Sequence, residues 1–372
     1  MDVATGSLVT ISEKNGGGSL RCIRATAARE GWNEVAAGDD PPSWSLGDDW
    51  RLSYEPGGQL EVSSAPCSSA TRLVERMFDI VESLRDECGA LGIHLLSAGV
   101  DPCNDISSVP LQLHRARYQR MARYFDHLGA SGARMMRQTA SLQINLEMGT
   151  QPAERWILLN GLAPYLTAMF ANSPLYRGAA TGHRSYRAFL WRTLDKSRTG
   201  LPVDADDPVG AYLDFALDAG SMMRENDGVG GSFRQWVADG SATLDDWRLH
   251  LTTLFPEVRP RSWFEVRSVD AIDPEWMVAP IGFVCGLIYS DAVAARTKAL
   301  VAEPTDDLLV EAGKNALRNP ELARTAAALA ELALEGLDNL GTDFLSETHL
   351  QRVEQFFETY TFRNRSPADD RD

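Results

Sequence analysis

Two glutamates flank a glycine turn in the stretch YEPGGQLEVSSAP, residues 54–66, and would belong to a site if other segments supply matching polar faces. The Pro-Gly-Gly sequence between Glu55 and Glu61 predicts a tight turn, because glycine adopts positive φ without steric cost. Side chains alternate along a strand, so Leu60 and Val62 point to one face and Glu61 to the other. The alternative interpretation is a surface hairpin whose polar face lies in water.

Two later segments supply similar polar faces. ASLQINLEM at 140–148 alternates apolar and polar residues, which places Gln143 and Asn145 on one face. The segment SWFEVRSVD places Glu265 and Arg267 on one face, either as a surface ion pair or as part of a site. Rows of amides and carboxylates with few lysines are unusual on a solvated face. The three segments therefore favour a functional site, which one sheet could carry.

A fourth segment, SYRAFLWRTLDKSRTG at 185–200, adds cations. Arg187, Trp191 and Arg198 recur at helical spacing along one face of a predicted helix. Guanidinium groups bind carboxylates and phosphates bidentately. Carboxylates and amides for Mg²⁺, with arginines for anions, are what phosphoryl transfer from ATP requires. A charge-laced surface helix is the structural alternative, and Trp191 could equally belong to the core.

Composition narrows the class of protein. The 372 residues include 52 acidic and 36 basic side chains, a net charge of −16 without a basic run, which argues against nucleic-acid binding. Five scattered cysteines without a CxxC pair suit a reducing compartment. The start lacks the pattern of a signal peptide, and the run MVAPIGFVCGLIY is too short to span a bilayer. We expect a cytoplasmic protein that acts on small molecules and binds no membrane, with that run as a buried helix.

The elements that position these residues are helices interspersed with short strands. Without a regular strand–helix–strand alternation, the pattern favours the α+β class, and the length allows one large domain or two ordinary ones. Short strands are predicted within 1–66, short helices within 204–250 and Ala/Leu-rich helices in the last 65 residues. Longer helices are predicted at 69–92, 114–130, 153–171 and 182–197.

Several blocks together resemble the glutamate–cysteine ligase family, in the branch shared by plant-type enzymes and the actinobacterial ergothioneine-pathway ligase. The blocks run in order from residue 54 almost to the C-terminus. They are YEPGGQLEVSSAP, GARMMRQTASLQINLE at 132–147, ANSPLYRG at 171–178, WRTLDKSRTG, HLTTLFPEVRPRSWFEVRSVD at 250–270 and RSPADD.

The resemblance implies one catalytic domain over 1–372. Its fold would be similar to the catalytic domain of glutamine synthetase, a curved, mainly antiparallel sheet that forms a funnel backed by helices. It implies that ATP activates the γ-carboxylate of glutamate as γ-glutamyl phosphate, which the cysteine amine attacks to give γ-glutamylcysteine. This product would serve ergothioneine or other low-molecular-weight thiol biosynthesis. The implied cofactors are ATP and Mg²⁺. The metal ligands implied are Glu55, Glu61 and Glu265; the substrate-binding residues are Arg137, Trp191, Gln143 and Asn145; the catalytic arginines are Arg187, Arg198 and Arg267.

Two alternatives remain at this level: a carboxylate–amine ligase with a different amine acceptor, and a catalytically impaired relative. The second is motivated by the start of the chain, because the family begins with a strand that carries a Glu-x-Glu pair. Residues 1–53 show no such pair in an alternating strand, and MDVATGSLVTI resembles the segment that follows it. From this departure we expect a divergent or truncated N-terminal part, weak Mg²⁺–ATP binding and poor ligation.

Overall fold

The computed structural model describes residues 1, 7–11, 18–224 and 231–371. Residues 2–6 of the N-terminal segment MDVATGSLVTI lie outside this description. The chain combines helices, which make up 54% of it, with small antiparallel sheets.

The first sheet is a four-stranded antiparallel meander in the order β1-β2-β3-β4. Its β3–β4 hairpin is the one predicted around the Pro-Gly-Gly turn, and Leu60 and Val62 pack toward the core as the alternation predicts. Two helices, α1 and α2, contact each other, and residues of both contribute to the same core. The bounds are α1 (Ser19–Glu30), β1 (Asn33–Ala37), β2 (Asp40–Ser45), β3 (Arg51–Tyr54), β4 (Leu60–Ser63) and α2 (Ala70–Ala90).

The second sheet has three antiparallel strands with β9 at its centre, in the order β5-β9-β8. Phe264 and Val266 of β9 and Ile144 and Leu146 of β5 are buried in the same core, as the alternation predicts. The bounds are β5 (Ser141–Glu147), β8 (Val258–Pro260) and β9 (Trp263–Asp270). A small hairpin separate from both sheets joins β6 (Leu175–Tyr176) to β7 (Ala179–Ala180).

The remaining α-helices of the described chain lie C-terminal to the first sheet. They are α3 (Ala116–Asp126), α4 (Ala130–Gln138), α5 (Pro152–Met169), α6 (Tyr186–Leu194), α7 (Lys196–Thr199), α8 (Pro208–Asp218), α9 (Phe233–Ala238), α10 (Leu244–Leu251), α11 (Val278–Ile288), α12 (Asp291–Leu300), α13 (Asp306–Asn315), α14 (Pro320–Leu340) and α15 (Glu347–Thr359). The predicted helices at 69–92, 114–130 and 153–171 correspond to α2, α3 and α5. All of α11 is buried, as predicted for the run MVAPIGFVCGLIY.

Of the six hydrophobic clusters in the described chain, the two largest are called the smaller core and the larger core. The smaller core lies within the first sheet and its helices and contains Trp44, Leu52 and Tyr54. The larger core joins the second sheet to α5, α11, α14 and α15. In it, Gly286 and Gly336 allow close backbone contact, because a Cβ on either glycine would collide with the opposite helix. No single described helix is long and apolar enough to cross a membrane; by length and composition alone, only the pair Pro274–Ile288 and Asp291–Leu300, bent by 100°, meets that test.

Two predictions about the placement of the sequence segments are wrong. The three polar faces do not share one sheet in the described chain, because the hairpin with Glu61 belongs to the first sheet and Asn145 and Glu265 to the second. The predicted helix at 182–197 is interrupted at Asp195, which is extended at φ −162°. The Asp195 carboxylate accepts the backbone N–H of Ser197 and caps α7, so it competes with continued helix.

Candidate active site

The hairpin brings Glu55 and Glu61 together. Ser53 pairs with Glu61 across β3 and β4, and Glu55 follows Ser53 by two residues, so both carboxyl groups lie on the same face. The Glu55 N–H donates to the Gln59 carbonyl at 2.8 Å, and the Gly58 N–H donates to the Glu55 carbonyl at 2.8 Å, which closes the turn. The two carboxyl groups are within hydrogen-bond reach of each other.

The environment of this pair disfavours two negative charges. Burial, and next the negative charge of Glu61, raise the pKa of Glu55 to about 7. Burial also raises the pKa of Glu61. Arg267 acts in the opposite direction on both groups, and Arg117 does so on Glu55, but neither outweighs the burial. Two adjacent carboxylates that lack sufficient positive charge are a suitable donor set for a divalent cation.

The turn is anchored to the end of α4. Gln59 Nε2 donates to the Thr139 carbonyl at 3.0 Å, and Gln112 Nε2 donates to the Gly57 carbonyl at 2.6 Å. Gly57 lies directly against the backbone of Arg137, where a Cβ would collide. These contacts connect the first sheet to the segment that leads into β5, and so set the position of Glu55 and Glu61.

On the second sheet, Glu265 is surrounded by arginines. Arg259 lies opposite it on β8 and binds its carboxylate at 2.7 and 2.9 Å, while Arg261 Nε lies at 3.0 Å and Arg267 also pairs with it. Burial acts to raise the pKa of Glu265, but Arg267 and Arg259 hold it below its usual value. Burial, together with the charge of Arg267, lowers the pKa of Arg259 to about 10. Glu265 therefore neutralises guanidinium groups.

The metal-ligand roles predicted for Glu55, Glu61 and Glu265 stay predictions, but the three carboxylates have different surroundings. Among the residues that the structure describes, no group of three or more His, Cys, Asp or Glu side chains is placed to hold a metal ion. The carboxylate of Glu265 is occupied by its three arginines, which leaves Glu55 and Glu61 as the carboxylate pair. Glu265 is still near enough for its charge to raise the pKa of Glu61.

Arg267 joins the carboxylate pair to an aromatic cleft. Arg267 and Ser268 oppose the single residue Gln143 in a β-bulge, which redirects side chains at this point of β9. The Arg267 guanidinium lies 5.5 Å from the Trp191 ring centroid, and that of Arg187 lies 5.7 Å from it. Phe255 meets Trp191 edge-on at 5.2 Å. The small cleft here is lined by Thr167, Arg187, Ala188, Trp191, Phe255, Pro256, Glu257, Arg267 and Ser268.

Three predicted residues have other surroundings. Arg137 is half-buried and donates to the backbone carbonyls of Val109 at 2.8 Å and Ala133 at 3.4 Å. Gln143 and Asn145 are exposed on β5, and Asn145 pairs in register with Glu265. The two amides thus border the arginine cluster, whereas Arg137 supports the backbone beneath the hairpin turn.

Arg198 is separated from the cleft, contrary to the prediction of a shared helix face. It is fully buried, and its Nε donates to Asp195 at 2.7 Å. Its Nη1 donates to the Thr253 carbonyl at 2.9 Å, and its Nη2 donates to the Gly220 carbonyl at 2.6 Å. With each guanidinium nitrogen bonded to protein and the side chain fully buried, Arg198 ties α7 to two loops.

Three arginines that were not predicted from the sequence also lie near Glu55 or Glu265. Arg259 and Arg261 pair with Glu265, and Arg117 acts on Glu55 from α3. The signal for the first two was available, because VRPRSW ahead of a strand predicts a tight hairpin that brings Arg259 opposite Glu265. Arg117 had no such signal, since its proximity depends on how α3 packs.

Paired carboxylates beside a cluster of guanidiniums have the chemistry to bind a divalent cation together with anionic groups. Residues 23–352 match the model of glutamate-cysteine ligase family 2 (GCS2). The chain belongs to this family of ligases. It is 35% identical over 364 residues to glutamate–cysteine ligase EgtA of Mycolicibacterium smegmatis, which covers 92% of this chain and 82% of that protein. It is also 31% identical over 344 residues to the chloroplastic glutamate–cysteine ligase of Medicago truncatula, which covers 86% of this chain and 67% of that protein. The chloroplastic glutamate–cysteine ligase of Nicotiana tabacum is 31% identical over 353 residues, which covers 87% of this chain and 67% of that protein.

Proposed function

We propose that this ligase joins the γ-carboxylate of glutamate to the amine of cysteine at the expense of ATP, to give γ-glutamylcysteine. The observation that carries the proposal is the pair Glu55–Glu61 next to the arginine cluster of β9, in a chain that belongs to the glutamate–cysteine ligase family. The names of the relatives support glutamate and cysteine as the substrates.

The proposed reaction proceeds in two steps. A γ-carboxylate oxygen of glutamate attacks the γ-phosphorus of ATP, and the bond from that phosphorus to the ADP oxygen breaks. The cysteine amine then attacks the carbonyl carbon of γ-glutamyl phosphate, phosphate leaves, and the amine loses a proton. Both steps concentrate negative charge on phosphate oxygens, which fixed guanidiniums stabilise.

Glu55 and Glu61 are the residues proposed to hold Mg²⁺. Their fit to a divalent cation is supported by the raised pKa values of both groups, since a bound cation would favour the charged carboxylates. When bound, Mg²⁺ supplies neutralisation of the phosphate oxygens. The amides of Gln143 and Asn145 border the same region and are proposed to contact the nucleotide.

Arg267 and Arg187 are proposed to orient the anionic groups of the substrates, with Trp191 as an aromatic wall beside them. Both guanidiniums flank the Trp191 ring, and Arg267 acts electrostatically on Glu55 and Glu61. We further propose that the hairpin face and the β9 face form opposite walls of a funnel. The support for the funnel is the anchoring of the turn by Gln59 to the segment that enters β5.

The test is to incubate the purified chain with glutamate, ATP, Mg²⁺ and a panel of amines that includes cysteine. We expect γ-glutamylcysteine, ADP and phosphate in equal amounts, and positional isotope exchange in [γ-¹⁸O]ATP when glutamate is present without cysteine. Ligation of a different amine would contradict the proposed acceptor. ADP release that is independent of glutamate would contradict the proposed reaction.

A further inference from the structure

A buried carboxylate at the end of β9 organises the region behind Arg187. Asp270 is 1% exposed, and its Oδ2 accepts the backbone N–H of Asn172 at 2.9 Å and the Ser173 hydroxyl at 2.7 Å. Its Oδ1 accepts the Ser185 hydroxyl at 3.0 Å and lies 3.6 Å from Arg187 Nη1. Asp270 thus gathers groups from two loops around one guanidinium.

Arg187 has little freedom under these contacts. It is 4% exposed, and its Nη2 donates to the backbone carbonyl of Arg267 at 2.6 Å. The guanidinium is fixed between Asp270 behind it and the Trp191 ring at 5.7 Å in the cleft. A guanidinium held in one orientation loses less conformational entropy when it binds a carboxylate or phosphate.

The C-terminal segment supports the same network. Arg371 Nε donates to the side-chain oxygen of Asn172 at 2.6 Å, and its Nη2 donates to the Ser97 carbonyl at 3.1 Å. The Asn172 amide nitrogen in turn donates to the carbonyls of Ser97 at 2.9 Å and Ala271 at 2.8 Å. The side chain of Asn172 is therefore held by Arg371 while its backbone N–H holds Asp270.

We propose that Asp270 is a positioning residue for Arg187 in binding the glutamate substrate, and that Arg371 supports it through Asn172. This rests on the proposed function, because Arg187 is assigned there to an anionic group of the substrate. A buried ion pair is a weak contributor to stability compared with apolar residues of the same volume, whereas it fixes geometry. Geometry is decisive here, since a displacement of about 1 Å can cost about a hundredfold in rate.

The principal test combines Asp270→Asn with Arg187→Gln in a double-mutant cycle. The measurements are the dissociation constant of glutamate by calorimetry and kcat/KM for glutamate. In the wild-type background, we expect Asp270→Asn to raise the dissociation constant of glutamate and to lower kcat/KM for glutamate, each by about ten- to a hundredfold. In the Arg187→Gln background, Asp270→Asn should change the dissociation constant and kcat/KM by less than about twofold each, because Asp270 acts through Arg187. Equal effects in both backgrounds would overturn the proposal.

Variants of the C-terminal segment test the same idea without touching the buried charge. We expect Arg371→Gln to weaken glutamate binding several-fold and Arg371→Lys to restore most of it, because a lysine can still donate to Asn172. Arg365→Gln is the matched control, since Arg365 pairs with Asp370 in the same segment and lies 41% exposed. If Arg371→Gln and Arg365→Gln bind glutamate equally well, the proposed role of Arg371 is overturned. This comparison does not depend on whether Asp270→Asn folds.

The calorimetric measurement separates this inference from the proposed function. A wild-type chain that binds glutamate but makes no γ-glutamylcysteine would contradict the proposed function alone, and the cycle on binding would still decide the role of Asp270. A wild-type chain that does not bind glutamate would overturn both.

Discussion

Glu55 and Glu61 are diagonal neighbours across the β3–β4 hairpin, with their carboxyl groups within hydrogen-bond reach of each other. Full ionisation of both is unfavourable, because burial and mutual repulsion raise the pKa of Glu55 to about 7. A shared proton or a bound cation relieves this repulsion. The pair therefore links the protonation state of the hairpin to cation binding.

The first prediction is that Mg²⁺ stabilises the protein more at pH 8 than at pH 5.5. The folded-state pKa of Glu55 lies above its usual value of 4.5. The stability that its protonated form contributes is therefore fully present below pH 4.5 and is lost as the pH rises through about 7. Above that pH, Mg²⁺ at about 100 times its Kd should restore about 2–3 kcal/mol. Thermal unfolding with and without Mg²⁺ at both pH values measures this.

Glu55→Gln should abolish the pH dependence of the Mg²⁺ effect. Glu34→Gln on β1 of the same sheet is the control, because Glu34 forms an exposed ion pair with Arg24. An equal Mg²⁺ shift at pH 5.5 and pH 8 in the wild type would contradict a cation site at this pair.

The second prediction is that Glu265→Gln destabilises the fold as well as reducing ligation. Its carboxylate compensates the guanidiniums of Arg259 and Arg267, whose side chains are 10% exposed, so its removal leaves buried positive charge. Breaking such a pair typically costs about 3–5 kcal/mol. Arg261→Gln is the control, because Arg261 is 38% exposed and its loss should cost below about 1 kcal/mol. Urea unfolding that gives equal losses for both variants would contradict this assignment.

The third prediction is that Arg198→Lys lowers the stability of the fold. Lysine cannot reproduce the donors to Asp195, Thr253 and Gly220, and we expect a loss of about 2–4 kcal/mol in urea unfolding. Arg248→Lys is matched to it, because Arg248 also pairs three residues back, with Asp245, but lies 68% exposed. That control should change stability by about 0.5 kcal/mol or less.

Arg198→Lys should leave the KM of the remaining folded enzyme for glutamate close to that of the wild type. An unchanged stability combined with a large loss of kcat would instead favour the catalytic role that its sequence spacing predicts.

The fourth prediction concerns Gly57. Gly57→Ala should cost about 1–3 kcal/mol, because the added Cβ collides with the Arg137 backbone and moves the hairpin turn. The displacement should also weaken Mg²⁺ binding, since Glu55 and Glu61 flank that turn. Gly89→Ala in α2 is the control, because its Cβ meets nothing within 4 Å, and it should stay within about 1 kcal/mol of the wild type. Urea unfolding and Mg²⁺ titration of both variants measure the two effects.

Local pattern predicted much of the fold. Strand alternation placed Leu60, Val62, Phe264 and Val266 toward the core, and the Pro-Gly-Gly turn predicted the hairpin. Both signals lie within a few neighbouring residues, so tertiary packing had little opportunity to override them. The same holds for α2, α5 and α11, whose apolar residues continue over several turns.

The surroundings of individual side chains were harder to predict from the sequence. Helical spacing placed Arg198 beside Arg187, but the Asp195 cap interrupts the helix, and the direction of Arg198 then depends on the loops at Gly220 and Thr253. Asp270 carried no sequence signal, because its partners lie 85 to 98 residues away along the chain. Such long-range contacts follow from the packing of loops rather than from periodicity.

The separation of the smaller core from the larger core has a consequence for amide hydrogen exchange. The β3–β4 hairpin belongs to the smaller core, whereas β9 is central in the sheet that packs on the larger one. Segments with fewer buried apolar contacts open locally at a lower free energy than the global unfolding. Backbone amides of the hairpin should thus exchange with deuterium well before those of β9, and gentle heating should disconnect Glu55 and Glu61 from Arg267 while most of the chain is still folded.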